Sequence, residues 1–399
     1  MQMLQTRGSA LILILLVTSI LYLLGIALLL ISFTEGTLSD LEVRSMQSFY
    51  LAESALAEGL AKLRTNPDYR TDLNDTFSLG GNVGLYSVAF YDGTNDGNGH
   101  YLSTLSPSLY QIILEGRGVI PGPRASTRTQ IEAEVALKPF AILSGGAVEV
   151  GAGGVIQGNI HANAQVTVSA GATVTGNVTT SGSLSVQGTV TGATSFLEPS
   201  MNLPVLTLKP YYPTYTYQGN SYPAQRLTHT SLALPNPPGN PPPYPSIELY
   251  QGAPSSGNPA AIYYLDEATP ADPIQVDLVG TLIILPPVGS VRMYGAIKIT
   301  PVTPFPAIIS AHDLEITLTE SLSPFGVTGN LIQGLVYTDQ DLTLTGEGVS
   351  GVAVQGTLIA HRIAVQGVPN LQLAYAPGVW SNPPPDLDLI EVLSWKEEE

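Results

Sequence analysis

From Ser9 to Phe33 the chain carries no residue that is charged at neutral pH. About 25 residues at ~1.5 Å per residue are enough to cross a ~30 Å hydrocarbon core with some tilt. A helix in a soluble core keeps a polar face, and this stretch has none. A cleaved secretory signal is excluded as well, because its apolar region runs only about 7 to 15 residues and ends in a small-x-small site. Beyond Phe33 the helical pattern continues in a different form. Leu38, Leu41, Ser45, Phe49, Ala52, Leu56, Leu60 and Leu63 recur every three or four residues, with Glu35, Asp40, Glu42, Arg44, Glu53, Glu58, Lys62 and Arg64 between them. That spacing predicts an amphipathic helix with one apolar stripe. The two stretches together predict one helix of roughly 55 residues, about 80 Å long, half in a membrane and half projecting from it.

A basic leader ending at Arg7-Gly8, an uncharged helix starting at Ser9 and an amphipathic continuation resemble the N-terminus of a type IV pilin-like protein. More narrowly, Arg7-Gly8-Ser9-Ala10-Leu11 and the run from Gln47 through Phe49, Ala52, Glu53, Ala55 and Leu56 to Glu58 resemble minor pilins of the PilX type. The resemblance covers about the first 65 residues. It implies that a prepilin peptidase cuts between Gly8 and Ser9 and that the new amine of Ser9 is methylated. Two residues depart from the major-pilin pattern: the first mature residue is Ser9 rather than Phe or Met, and the fifth is Leu13 rather than Glu. In the family that glutamate is thought to pair with the terminal ammonium of a neighbouring subunit. A carboxylate at membrane depth costs roughly 2.5 to 3.5 kcal/mol, so it is kept where it has a partner. Leu13 has no such use, which suits a subunit at the tip of a filament.

The formal charge is −17, with only 12% charged residues. Such acidity argues against a large phosphate-binding face, since affinity for nucleic acid is built mainly from Lys and Arg. Between Lys138 and Lys396 the cations are Lys209, Arg226, Arg292, Lys298 and Arg362. The absence of cysteine removes disulfides, thiolate metal sites and thiol catalysis together.

The expected architecture is α+β and mostly β. A leader (1–8) precedes a pilin helix (9–64), transmembrane over 9–33 and amphipathic over 34–64. A small antiparallel sheet (65–140) follows: Gly84–Tyr91 alternates like a strand, and Tyr110–Val119 and Thr127–Leu137 flank a Pro121-Gly122-Pro123-Arg124 turn as a hairpin. Within this unit Asp92, Thr94, Asp96 and Asn98, with Gly97 at the sixth position, match the spacing of an oxygen-rich calcium loop. Position twelve is Ser103 rather than a bidentate glutamate, and the same residues suit an Asn/Asp/Gly hairpin loop. Calcium is the one cofactor the sequence raises.

From Ala141 the chain repeats. Val148-Glu149-Val150, Val166-Thr167-Val168 and Leu184-Ser185-Val186 recur at a constant interval, as do Gly158-Asn159-Ile160 and Gly176-Asn177-Val178. Short apolar strands between Gly, Asn, Ser and Thr turns at fixed spacing predict an irregular β-solenoid. Its first part is expected over 141–197 and its second over 267–380, where Ile308–Ile316, Leu335–Leu344 and Leu358–Val365 resemble further rungs. Residues 198–266 read as a Pro/Tyr-rich insertion, rich in Tyr211, Tyr212, Tyr215, Tyr217 and Tyr222. Proline at that density excludes helix and central strand. The insertion either offers tyrosines for stacking on sugars or bases or wraps the solenoid and buries them there. A C-terminal strand and acidic tail (381–399) end the chain, with the Ser394-Trp395 ending that many PilX-type proteins share.

No catalytic motif occurs, and the five histidines, His100, His161, His229, His312 and His361, are scattered. The expected function is therefore a non-enzymatic minor pilin-like subunit of a type IV pilus or pseudopilus, near the tip, displaying its solenoid for assembly or adhesion. It would sit in the bacterial inner membrane as a single-pass precursor and in an extracellular or periplasmic filament when assembled. The resemblance implies other major and minor pilins, the prepilin peptidase and the assembly platform as partners. Two alternatives stand beside it. One is a DNA-receptor pilin for natural transformation, since a pilin with a solenoid is similar to competence-associated minor pilins of Thermus-type bacteria; Lys209, Arg226, Arg292 and Lys298, with Arg117, Arg124 and Arg128, would then have to converge. The other is a bitopic surface adhesin, with a surface glycan as ligand.

Overall fold

The computed structural model describes residues 3–66, 69–79, 82–93, 100–102, 111–122, 126–233, 246–266, 274–285, 291–319, 329–349, 351–368, 371–387 and 389–398. One helix, α1 (Met3–Thr65), carries the whole N-terminal region and begins ahead of Ser9. Lys62 and Arg64 lie in its last turn, where cations offset the partial negative charge of the unsatisfied carbonyls. From Leu13 to Val43 every side chain is exposed. Burial begins at Ser48 and takes in Leu51, Ala52, Ala55, Leu56 and Leu63. The predicted apolar stripe is thus covered only in its second half: Leu38 and Leu41 remain exposed, because the sheet beneath the helix does not reach them.

Five antiparallel strands of that sheet run in the order β1 (Leu73–Leu79), β2 (Asn82–Asp92), β3 (Gln111–Ile120), β4 (Thr127–Leu137) and β5 (Ile390–Glu398), and the short strand His100–Tyr101 pairs parallel with the end of β2. Strict alternation on β3 and β4 turns Ile112, Leu114, Ile131, Ala133 and Val135 towards the helix. Gly116 and Gly118 of β3 lie on the same face, directly under the helix backbone. A Cβ at Gly116 would come within 2.6 Å of the Ala52 carbonyl, and one at Gly118 would overlap the Ser48 carbonyl. The helix therefore rests on bare backbone, and side chains farther along fill the wedge. Ser48 and Thr129 close the contact with a buried hydroxyl pair at 2.7 Å. At the edge the Tyr86 hydroxyl donates to Glu58 at 2.6 Å, and this bond, with burial and the Glu58 charge, pushes the phenol up to about 12.

Twenty-four further strands among the described residues form a β-solenoid, parallel except where His229–Ala233 pairs antiparallel, and Thr214–Tyr217 pairs with Asn220–Pro223 as a separate hairpin. Its inner ladder runs Leu282, Ile308, Val336, Leu358, Ile142, Ile160, Val178, each residue beside the next on adjacent coils. A second inner ladder runs Val291, Leu314, Leu342, Ile363, Val148, Val166, Leu184. All but Leu184 are at most 2% exposed. Burying one such side chain is worth about 1.5 to 3 kcal/mol, so the stack rather than any single coil holds the solenoid. Both ladders show that the coils are not stacked in chain order. The chain joins the solenoid in mid-stack at Ile142, coils outward to Phe196, runs back along the outside, and coils again from Gln225 to Ala374. There its last coil pairs with the first, Leu358 beside Ile142 and Leu371 beside Gly154. Joining and leaving at one level brings β5 back beside β4.

Turns are stitched by side chains at repeating positions. The Asn159 side-chain oxygen accepts from the Asn177 N–H at 2.9 Å, and that of Asn177 accepts from the Ala193 N–H at 3.0 Å. Hydroxyls of Thr338 and Thr180 donate to the turn carbonyls of His312 and Ala164. This explains the repeated Gly-Asn pairs: the amide oxygen accepts from a turn N–H of the next coil and ties neighbouring coils together.

The Pro/Tyr-rich stretch is only partly an insertion. Strands at Gln225–Arg226, Ser246–Gly252 and Ile262–Leu265 already belong to the solenoid, pairing with Ile262–Leu265, Ile274–Val279 and Thr281–Ile284 respectively. The second part of the solenoid thus begins at Gln225 rather than at 267, because these pieces are free of the prolines that exclude a central strand. What remains, 198–224, lies as a strap over an outer apolar ladder, Tyr264, Ile283, Ile309, Tyr337, Ile359, Leu143, His161. Tyr211 and Tyr215 are buried beneath it, with their hydroxyls donating to the Pro385 carbonyl at 2.5 Å and to Asn258 at 2.6 Å.

Candidate functional site

The largest apolar surface is the free half of α1. Leu13 is 65% exposed, and Leu15, Leu21, Leu23, Leu30 and Phe33 are similarly bare. Four of its hydroxyls are satisfied within the helix. Thr18, Ser19, Thr34 and Thr37 each donate to the carbonyl four residues earlier, at 2.6, 2.8, 2.7 and 2.7 Å. A helix that pairs its own hydroxyls in this way meets the requirement hydrocarbon imposes on every polar group. By length and composition α1 can cross a membrane. Gly8 and Ser9 fall inside the helix bounds, and Leu13 lies at the start of the exposed run.

The basic residues do not form one face. Arg226 pairs with Asp266 at 2.8 Å and Arg292 with Glu315 at 3.0 Å. Lys298 stands beside Asp277 in the strand register, and Lys209 is exposed on the strap. Arg117 and Arg128 do come together, across the outer face of β3 and β4, around an open cleft of about 600 Å³ that Ser87 and Gln130 also line. Glu115 pairs with Arg117 there. Arg124 lies outside the described residues.

Of the calcium candidates, Thr94, Asp96 and Asn98 also lie outside the described residues. Asp92 is buried and bonded to Arg70 at 2.6 Å, which already neutralises its carboxylate. Among the described residues no group of three His, Asp or Glu side chains is placed to hold a metal ion.

The histidines occupy unlike settings. His100 meets Asp72 at 3.0 Å on the sheet edge, and His361 lies 3.5 Å from Asp341. His312 and His361 mark one solenoid corner two coils apart, as the register of Leu314, Leu342 and Ile363 shows. His161 is fully buried in the outer ladder. It meets the Thr179 hydroxyl at 2.8 Å and the Asn163 side-chain oxygen at 3.1 Å. Asn163 in turn binds the backbone of Met201 on the strap through both side-chain atoms, at 2.8 and 2.6 Å. Burial holds the His161 imidazole below its ordinary pKa, against the pull of the Asn163 bond.

No protein-family model matches the chain, and no curated protein matches it. Among solved structures, one similar chain is the competence-associated pilin ComZ from Thermus thermophilus. It shares 10% identity over 89% of this chain and 97% of that one, with a TM-score of 0.33. At that level the likeness carries no weight for fold or function, which rest on the residues described above.

A neutral groove of about 360 Å³ could not be read from the sequence. Pro301, Pro304, Phe305, Gln333, Gln355 and Asn382 line it, with no charged neighbour, and they come from four separate stretches of chain. The clamp of His161, Asn163 and Met201 is equally long-range. Its one sequence signal is a histidine replacing the hydroxyl-bearing or apolar residues found at equivalent rung positions.

Proposed function

We propose that this chain is a non-enzymatic minor pilin-like subunit of a type IV pilus or a related pseudopilus, inserted in the inner membrane as a precursor and later drawn into a filament. One observation carries the reading: α1 is a single helix that is bare from Leu13 to Val43 and uncharged as far as Phe33, while its Ser48–Leu63 half is clamped on a sheet. A helix of this kind has two successive environments available, lipid and then the helices of neighbouring subunits. Leu13 offers no carboxylate to a subunit above, which supports a place near the filament tip. The solenoid is the displayed body, available for assembly or adhesion. Pairing of Arg226 and Arg292 with carboxylates, and a net charge of −17, weigh against the DNA-receptor reading.

N-terminal mass spectrometry of the protein from native membranes and from sheared surface fractions tests this. A methylated Ser9 start, with protein in the sheared filaments, supports the reading. An intact leader confined to membranes would overturn it in favour of a bitopic adhesin.

A further inference from the structure

The solenoid has two unlike ends. One closes on an antiparallel strand, His229–Ala233, and carries Arg226, Glu248 and Asp266. The other ends on the coil Leu184–Val186, Thr189–Val190 and Thr194–Phe196, whose strands pair below with Val166–Val168, Thr173–Thr175 and Val178–Thr180 and, among the described residues, with nothing above. Three strand edges therefore present unpaired backbone groups together. Side chains around them are bare as well: Val186 is 40% exposed, Phe196 62% and Leu197 75%. Natural edges are usually blunted by charge, proline or a covering segment. Here from Val150 to Leu197 there is neither a charged residue nor a proline. After Leu197 the chain turns down the side of the stack, where Glu198 bonds the Thr180 carbonyl, so the strap leaves the end open.

We propose that this terminal coil docks a second copy of the chain, the two end coils stacking about a two-fold axis so that the solenoid continues from one molecule into the other. The occupant follows from charge. A chain of −17 repels its copies over most of its surface, and the uncharged end is where two copies meet without like charges. A two-fold contact is self-complementary: a residue on the axis meets its own copy and the others meet in exchanged pairs. The hydroxyl-bearing Ser185, Thr189, Thr191 and Thr194 of one copy therefore face the same set on the other, and hydroxyl pairs of this sort stabilise adjacent strands. The edge amides and carbonyls then find partners at the spacing the stack already uses. The inference does not depend on filament incorporation, because two membrane precursors can meet in the same way.

The natural absence of cysteine makes the test direct. Full-length chains carrying Ser185→Cys or Thr189→Cys are treated with a short bis-maleimide in native membranes, with Thr216→Cys, on the exposed hairpin of the strap, as the collision control. The expected product is a covalent dimer of this chain alone, well above the control. Adding Thr189→Lys to the Ser185→Cys chain should lower the yield about ten-fold by placing like charges across the axis. Mixing that chain with one carrying Ser185→Cys and Thr189→Glu should restore it. Both substitutions fall on an exposed side chain, and an unchanged melting temperature verifies the fold. Yield no higher than the control, yield indifferent to Thr189→Lys, or a product containing a different protein would each overturn the proposal.

Discussion

At the scale of single residues, Gly118 sets how closely α1 lies on its sheet. Any side chain there collides with the Ser48 carbonyl and the backbone of Ala52, which cannot rotate away. Gly118→Val should destabilise the folded body by about 3 kcal/mol, read as a lower denaturation midpoint of the full-length protein in detergent. His161 supplies a pH dependence whose sign follows from its buried neutral state. With the folded pKa depressed below the unfolded value of ~6.5, the unfolded chain binds the extra proton in the interval between them, so stability is full above ~6.5 and falls as pH drops through that interval. Melting temperature against pH should decline on the acid side, and His161→Gln, which cannot titrate, should flatten that limb. The repeat pattern places position 161 on a rung, but its burial depends on a strap residue 40 positions away, Met201, and so was invisible locally.

Among elements, the strap shows how composition and packing divide the work. Residues 198–213 form neither helix nor strand, as their prolines lead one to expect, yet proline density does not say where the tyrosines go. They go under the strap because the outer ladder of Ile283, Ile309, Tyr337 and Ile359 is itself apolar and needs cover. The Tyr215 hydroxyl reaches Asn258, which is fully buried, accepts also from the Ile262 N–H at 2.9 Å and donates to the Ile262 carbonyl at 3.1 Å. Tyr215→Phe should therefore cost about 1 to 2 kcal/mol, since it leaves Asn258 short of a partner, while Tyr217→Phe, at a half-buried ring, should cost much less. Urea unfolding of the two variants side by side measures the difference.

For the whole molecule, everything ahead of Leu38 is exposed wherever burial is described, so the folded body does not depend on it. Removing residues 1–37 should give a protein that needs no detergent and melts within a few degrees of the full-length chain. A large fall in melting temperature would mean that the free half of α1 supports the body after all. This division agrees with the sequence, where the lack of any charged residue over Ser9–Phe33 already marks a segment that water does not favour.

The sequence by itself determined the long helix, the hairpin of β3 and β4 and the existence of a solenoid, because each is written in a local period: unbroken apolarity, alternation by two, and a repeat of short Val-x-Val strands. It also limited the chemistry, through acidity and the lack of cysteine. Only the tertiary structure decided the order of the coils, with the second half of the chain stacked against the first turn at Leu358 and Ile142. It likewise decided the start of the second part at Gln225, the covered half of the α1 stripe, the pairing of Arg226, Arg292 and Arg362 with carboxylates, and a terminal coil whose outer edge pairs with nothing among the described residues. All of these depend on contacts between residues far apart in the chain, whose pairing is settled by which apolar ladders can be buried together rather than by any local pattern.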